Sequence, residues 1–482
     1  MSEPTTGASA AGETGGATQP MEARPIMRTQ ARLALRVLSD DDVARVHAAA
    51  LELLGAEGVA AEAAAQSAPE TLILAGRVPE HDVALGAGRI WLAAGVPTAG
   101  PAGVPERVRR LAGGDPVPAT AADLDAAVRL ADALPEVAVL AGPPLHAAGE
   151  TPLGELARCL AGTSKHVMAS GLTTASEASE AAALAAAVAG SAGEARRRPP
   201  LSLCGGAAAL VAALVFARAG LPVGLVLAPA DAAAGVPAPP AAPAAAPFSP
   251  RAQAPDLGLA LVRHHAGVLA GCAAVEAAAP GAPFFYVADP AAAGLPAAGP
   301  SAALFQLAAA QLAALVGLPL VAGGVRTTSH EPDWQSCTQD AFASLSAAAA
   351  GADVTGGAGT LGAGAAWSPQ QLVMDAEIFS WNAMIAAGIE VEDETIALDA
   401  IKQVGIGGNY LGQRHTRRHM KDVWRPRLLD RSMWDVWVAS GREGAYEKAT
   451  ALAEQLLAEH TAVPLGAEAR GMIERISAGP GL

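Results

Sequence analysis

The stretch TAADLDAAVRLADALPEVAVLAG, residues 120–142, holds one complete unit of the fold. Thr120 and Asp123 have the spacing of a capping box, LDAAVRLADAL carries a helical apolar pattern, and EVAVLAG is a short buried strand that stops at Gly142 and Pro143. The unit recurs along the chain. LGELARCLAG leads to KHVMASG; Thr174 opens a helix containing SEAAALAAAVAG that leads to PLSLCGG; ALVAALVFARAG leads to LPVGLVLAP. After a proline and alanine tract at 230–255, which reads as a long loop, three more units follow. LGLALVRHHAGVLAGCAAVEAAA precedes PFFYVAD, ALFQLAAAQLAALVG precedes LPLVAGG, and AFASLSAAAAG precedes ADVTGGAG.

Strands are thus expected near residues 137, 166, 201, 223, 284, 319 and 353, with an eighth near RIWLAA before the first. Strands alternating with helices at this spacing imply a parallel sheet with right-handed crossovers. A doubly wound sheet would carry a phosphate-binding glycine turn after its first strand, whereas here the glycines follow the late strands, at Gly323-Gly324 and at 356–359. The expected class is therefore α/β, a (β/α)8 TIM-type barrel with an N-terminal helical extension and C-terminal helices. The corresponding divisions are a disordered tail over 1–30, a helical or irregular extension over 31–95, the barrel over 96–405 and a helical segment over 406–482.

Ahead of the barrel, Ser39 can cap a helix whose first turn carries Asp40, Asp41 and Asp42. Val43, Val46, His47, Ala50, Leu51 and Leu54 fall on one face of it, and Gly55 and Gly58 close it. Residues 70–115 contain the short strand-like runs TLIL and RIWLAA among glycine and proline.

The formal net charge of −15 and a pI near 5.1, with no basic block longer than HTRRHMK, argue against a nucleic-acid surface. Four isolated cysteines without a C-x-x-C pair fit a reducing, cytoplasmic setting. Residues 1–25 lack the apolar core of a signal peptide. No charge occurs between Asp289 and Arg326, yet prolines and a glycine pair divide that stretch below the roughly 20 residues a membrane span needs. A buried barrel element is expected there, and no membrane.

Active-site residues of such a barrel sit at the carboxyl ends of the strands. Those positions are 142–146, Ser170-Gly171, 204–206, 286–289, 323–333 and 355–359. His330, Glu331, Asp333 and Gln335 form the densest polar cluster among them and are the candidate catalytic residues, able to position a substrate or accept a proton. Asp333 could equally cap the helix that begins at Trp334. Six of the seven tryptophans and all three tyrosines lie after residue 280. They either fill the core of a helical subdomain or line a pocket. In the second reading Tyr286, Trp334, Trp367, Phe284 and Trp381 are substrate-binding candidates. Aromatic faces with a few acidic groups suit a methylated ammonium, whose charge is spread over methyl groups.

Other motifs carry less. His415 and His419 stand four apart, but the HExxH pattern is missing and arginines surround them, so no metal site is expected. The basic run from Arg414 to Arg427 is either a partner-facing or a solvated surface. The neighbouring His264 and His265 are read as structural. Motifs for phosphoryl or acyl transfer are missing.

The phrases PDWQ (332–335) after the glycine pair, GADVTGGAGTLGAG, QQLVMDAEI, DETIALDAIKQVGIGGNYL and HTRRHMKDVWRPRLLDR resemble the trimethylamine methyltransferase family. A fainter echo is LSDDDVARVHAAALELLGAEGV near the N-terminus. The resemblance implies a corrinoid-linked methyl transfer. An N-methyl group of a small quaternary or tertiary amine, betaine-like, passes to Co(I) of cobalamin on a separate corrinoid protein, with no cofactor bound tightly by this chain. Trimethylamine enzymes carry pyrrolysine and this sequence has none, so it resembles members acting on quaternary amines such as glycine betaine. A quaternary nitrogen is already a good leaving group, so orientation and a dry pocket matter more than a general acid. The alternative is a catalytically silent barrel holding a methylated ammonium ligand. Expected partners are the corrinoid protein and the methylated amine, with a homo-oligomer left open.

Overall fold

The computed structural model describes residues 27, 29–30, 35–55, 61–62, 65, 71–97, 104–227, 257–296 and 298–478. The tract at 230–255 lies outside them, as does the expected tail over 1–30 apart from Met27 and the short strand Thr29–Gln30.

Eight parallel strands form the barrel: β1 (Arg89–Ala94), β2 (Val137–Ala141), β3 (His166–Ala169), β4 (Leu201–Gly206), β5 (Val223–Val226), β6 (Tyr286–Ala288), β7 (Leu320–Ala322) and β8 (Val354–Ala358). Neighbours in sequence are neighbours in space, and β8 returns to β1. The ring is completed between β5 and β6, where Val223 bridges Phe284 and the Phe285 amide donates to the Val223 carbonyl at 3.0 Å. All seven strand positions read from the rhythm are present, and RIWLAA is β1. Because β1 lies at 89–94, the barrel begins inside the region expected to be extension.

One main helix follows each strand: α1 (Ala121–Ala133), α2 (Pro152–Gly162), α3 (Ala175–Ala189), α4 (Leu210–Ala219), α5 (Leu257–Ala278), α6 (Pro300–Leu315), α7 (Trp334–Ala350) and α8 (Pro369–Ala387). Their starts follow from capping chemistry. Thr120 with Asp123 and Thr174 with Glu177 form reciprocal capping boxes, and Ser368 caps α8 ahead of Pro369. By length and composition α5 could cross a membrane, but 61% of its apolar window is buried inside the fold, where it packs on β5 and on the N-terminal helix Asp40–Leu54. That helix is capped by Ser39 and closed by Gly55 as its sequence predicts.

Two apolar layers result. One joins the outer faces of the strands to the helices and is built largely of alanine and leucine. The other fills the barrel, where Trp91, Met168, Phe285, Val287 and Val321 meet the hairpin of Leu72–Leu74 and Val83–Leu85. The hairpin closes the amino-terminal end of the barrel. Around it, the Ala75 and Arg77 amides donate to the carbonyls of Pro199 and Ser164, just before β4 and β3, and the Gly86 amide donates to the Asp353 carboxylate, just before β8. The opposite end is left for chemistry. On the outside, Ala445–Glu459 packs on α8 and α1, and Ala467–Ser477 packs on α2 and α3.

Candidate active site

At the carboxyl end, the loops after β1, β7 and β8 are knitted by their backbones. Gly323 donates its amide to Ala288, Val325 to Gly356 and Gly357 to Gly95. Gly357 has φ of 105°, and a Cβ built there would stand 2.1 Å from the Val325 carbonyl oxygen, so only glycine fits this crossing. The late-strand glycines therefore let chain pass over chain at the mouth.

Under this lattice lie two opposed charges. Asp289 follows β6 directly and Arg326 stands four residues after β7; each side chain is 1% exposed, and Arg326 Nη2 is 3.9 Å from Asp289 Oδ1. That separation is an ion pair without a direct hydrogen bond. Arg326 Nε and Nη2 have no hydrogen-bond acceptor among the described residues, and neither does the buried Thr355 hydroxyl at the end of β8. Burial pulls the guanidinium below its ordinary pKa while Asp289 opposes the shift. Cys204, at the end of β4, has its thiol pushed up by burial and then by the Asp289 charge, so it stays a thiol. Buried, incompletely paired polar groups at a barrel mouth are the features of a site built for a ligand.

A second polar cluster backs the loop after β8. The Asp375 carboxylate accepts the Gly359 amide at 2.8 Å, and Gln371 Nε2 donates to both Asp340 and Asp375, at 3.0 and 2.8 Å. Burial raises the pKa of both carboxyls, and for Asp340 the neighbouring Asp375 charge adds to the rise. The pair keeps a proton that ordinary aspartates lose, and its role is to fix the loop.

The sequence-expected site residues do not gather at one point. Asp333 caps α7: it accepts the Ser336 amide at 2.9 Å and the Ser329 hydroxyl at 2.9 Å, which is the structural alternative its sequence allowed. Gln335 donates to Thr328, and Glu331 pairs with Arg109 at 3.3 Å. His330 is exposed beside Gly362. These four shape the outer part of the β7 loop, whereas Arg326 in the same loop is buried.

The aromatic candidates also separate. Tyr286 is fully buried between β6 and α5, where its hydroxyl meets His265 Nδ1 at 3.2 Å and His265 Nε2 meets His47 Nδ1 at 2.8 Å. Phe284 belongs to that same outer layer. Trp334, at the first turn of α7, is 81% exposed. Trp367 is buried against Gly359 and borders a cleft of about 270 Å³ with Val108, Leu111 and Pro369. Trp381 is half exposed, and its ring lies 5.5 Å from that of Trp424 at a tilt of 51°. Among the described residues no ring contact joins Tyr286, Trp334 and Trp367. The expected common rim of three aromatics is not formed, because strand alternation turns Tyr286 outward while Phe285 and Val287 face the barrel interior.

His415 and His419 have ring centroids 4.4 Å apart, and His419 lies between Asp422 at 2.7 Å and Glu394 at 3.6 Å. The pair ties the short helix Arg414–His419 to its surroundings. Among the described residues no group of three or more His, Cys, Asp or Glu side chains could hold a metal ion.

Comparison with known proteins supplies the family. The family model described as trimethylamine methyltransferase (MTTB) matches residues 56–475. The trimethylamine methyltransferase MttB of Desulfitobacterium hafniense is 27% identical over 438 residues, covering 86% of this chain and 82% of the relative. The enzyme of the same name from Methanosarcina barkeri is 35% identical over 213 residues, which is 43% of each chain. A glycine betaine methyltransferase of Desulfitobacterium hafniense is 32% identical over 211 residues, 42% of this chain and 44% of the relative. With these last two, the matched stretch spans less than half of the relative's length.

Proposed function

The chain belongs to the trimethylamine methyltransferase family, and on that premise we propose that it moves an N-methyl group from a small betaine-like quaternary or tertiary amine to the Co(I) corrinoid of a separate protein. In the transfer the C–N electron pair stays on nitrogen and Co(I) contributes the pair of the new Co–C bond, so the corrinoid enters as a substrate; a quaternary amine leaves as the neutral tertiary amine, and a tertiary amine must react as its protonated ammonium to leave as the neutral secondary amine. What this chain supplies is orientation and exclusion of water.

The observation that carries the reading is the Asp289 and Arg326 pair beneath the mouth. A betaine bears a carboxylate and a quaternary ammonium a few ångströms apart. The open Nε and Nη2 of Arg326 suit the carboxylate, for which a planar fork is the favoured partner. Asp289, 3.9 Å from Arg326 Nη2, supplies the negative charge that the ammonium of such a ligand needs. A substrate with one charge would leave the other member of the pair unanswered, so glycine betaine fits better than trimethylamine. In this reading the β7 loop carries the recognition. Arg326 touches the substrate, His330 and Glu331 stand at the rim toward the corrinoid partner, and Asp333 and Gln335 hold the loop's shape. The four cysteines stand apart in the sequence without a C-x-x-C pair, which suits a reducing, cytoplasmic setting.

The test is to mix the protein with a reduced corrinoid protein and a panel of methylamines and betaines, and to follow methylcobalamin by absorbance. Methyl transfer from a carboxylate-bearing quaternary amine is the expected result. Ligand binding without transfer from any member of the panel would favour a silent binding barrel instead.

A further inference from the structure

The cleft beside Trp367 takes no part in the site beneath the mouth. It lies at the seam where α8 meets α1, and its walls come from separate parts of the chain. Val108 stands on the short strand Arg107–Val108, Leu130 on α1, Trp367 on the short strand Ala366–Trp367, Pro369 at the start of α8, and Leu457 on the outer helix Ala445–Glu459. Ala126 of α1 also borders the cleft, and its single methyl group leaves the space open.

Hydrogen bonds from three sides hold these walls apart. The Arg109 amide donates to the Trp367 carbonyl at 2.8 Å, joining the two short strands in parallel. Gln370 Nε2 donates to the Leu111 carbonyl at 3.1 Å, which fixes the turn after the first of them. Asp123, set by its capping box with Thr120, accepts from Arg110 Nε and Nη2, each at 3.0 Å. Packed interiors hold few voids larger than a water molecule, so an apolar space of about 270 Å³ with pinned walls has the features of a preformed pocket.

Size and charge decide what fits. A dry apolar cavity of about 150 Å³ is enough to take benzene, so this cleft has room for a substituted ring. Arg110 and Asp123 are the charged groups that border it, and they satisfy one another. A charged ligand would have to break that pairing or give up its hydration without a partner, whereas a neutral ring is driven in by the burial of its own surface.

We infer that this cleft is a second ligand site, for a neutral, ring-sized apolar molecule, separate from the zwitterion site proposed at the mouth. Its walls continue into the mouth loops. Trp367 pairs with Thr360 across the hairpin after β8, and its Nε1 lies against Gly359 with no acceptor among the described residues. Arg109, next to Val108, pairs with Glu331 of the β7 loop at 3.3 Å. A ligand in the cleft therefore stiffens the loops that cover Asp289 and Arg326.

The test uses the full chain with 4-fluorotoluene as the probe and 4-fluorobenzoate as its charged counterpart, both followed by fluorine NMR. 4-Fluorotoluene is expected to bind with a dissociation constant on the order of 1 mM or below, as suits a ligand of so few atoms. 4-Fluorobenzoate should bind at least roughly 10-fold more weakly, and glycine betaine should displace neither. Ala126→Phe fills the cleft and should weaken 4-fluorotoluene at least roughly 10-fold. Leu457→Trp adds bulk from a different wall, on an outer helix, and carries the same expectation should the first variant fail to fold. On binding, the indole N–H signal that is lost in Trp367→Phe should shift in the parent, and the amides of 359–361 should exchange more slowly. No binding of 4-fluorotoluene up to its solubility limit, equal binding of both probes, displacement by glycine betaine, or binding unaffected by whichever filling variant folds would each overturn the inference.

Discussion

Arg326 shows how one residue can be visible and still unread. Asp289 and Arg326 bound the uncharged residues 290–325, and both fall at positions expected at the mouth, yet sequence alone does not say that the two ends of that stretch face one another. Their meeting is a property of neighbouring parallel strands, β6 and β7. Arg326→Lys keeps the charge beside Asp289 but loses the planar fork. Losing hydrogen bonds worth about 1.5–3 kcal/mol should weaken glycine betaine binding roughly 10- to 100-fold by calorimetric titration, with little change for trimethylamine. Equal weakening for both ligands would count against carboxylate recognition. Trp334 makes the opposite case. Asp333 takes the capping position, so the next side chain starts the helix on its solvent side, and the aromatic expected in the pocket stands outside it. The Asp340 and Asp375 pair gives a second prediction at this scale. Folded carboxyls with raised pKa contribute stability that is complete below the unfolded value of 3.8 and is lost as pH rises through the folded value. Asp375→Asn should therefore flatten the decline in melting temperature above pH 4, leaving the part due to Asp353, whose pKa burial raises to about 6. An unchanged pH profile in the variant would remove the pair as its source.

At the scale of elements, the barrel was the most legible part. Parallel strands buried on both faces read as unbroken apolar runs, and the threonine and glycine punctuation between them marks helix starts and stops. The hairpin of Leu72–Leu74 and Val83–Leu85 was not legible in that way. Its strands are three residues long and their purpose, closing the amino end of the barrel, depends on contacts with residues at 164, 199 and 353. The glycine-rich run after β8 was visible as a motif, while its reason is steric. Gly357→Ala places a methyl against the Val325 carbonyl in a backbone conformation alanine avoids, and should cost at least about 2 kcal/mol. Denaturant unfolding would register this as a lower midpoint. A variant as stable as the parent would mean that the loops over the mouth can part freely.

Across the whole molecule the aromatic and charged wealth of the last two fifths is divided: Tyr286 and Trp367 are buried in the body, and much of the rest has two other tasks. Part of it shapes the β7 and β8 loops over the mouth, and part of it forms the arm at 388–441, which buries almost nothing within one chain. The buried body and the exposed arm draw on the same residue types, so composition alone does not separate them. The barrel then serves as a rigid frame. Its amino end is closed by the hairpin, and its carboxyl end presents two buried charges. The most direct measurement of the proposed activity is a single-turnover transfer from glycine betaine labelled in its methyl groups to a Co(I) corrinoid protein, catalysed by the parent chain and by Arg326→Lys. The expected result is one labelled methyl on cobalt for each dimethylglycine released, with the variant slowed at subsaturating betaine and restored at high concentration. Labelled methylcobalamin formed at the same rate by both proteins would contradict the assignment of Arg326, and none formed by either would contradict the transfer itself.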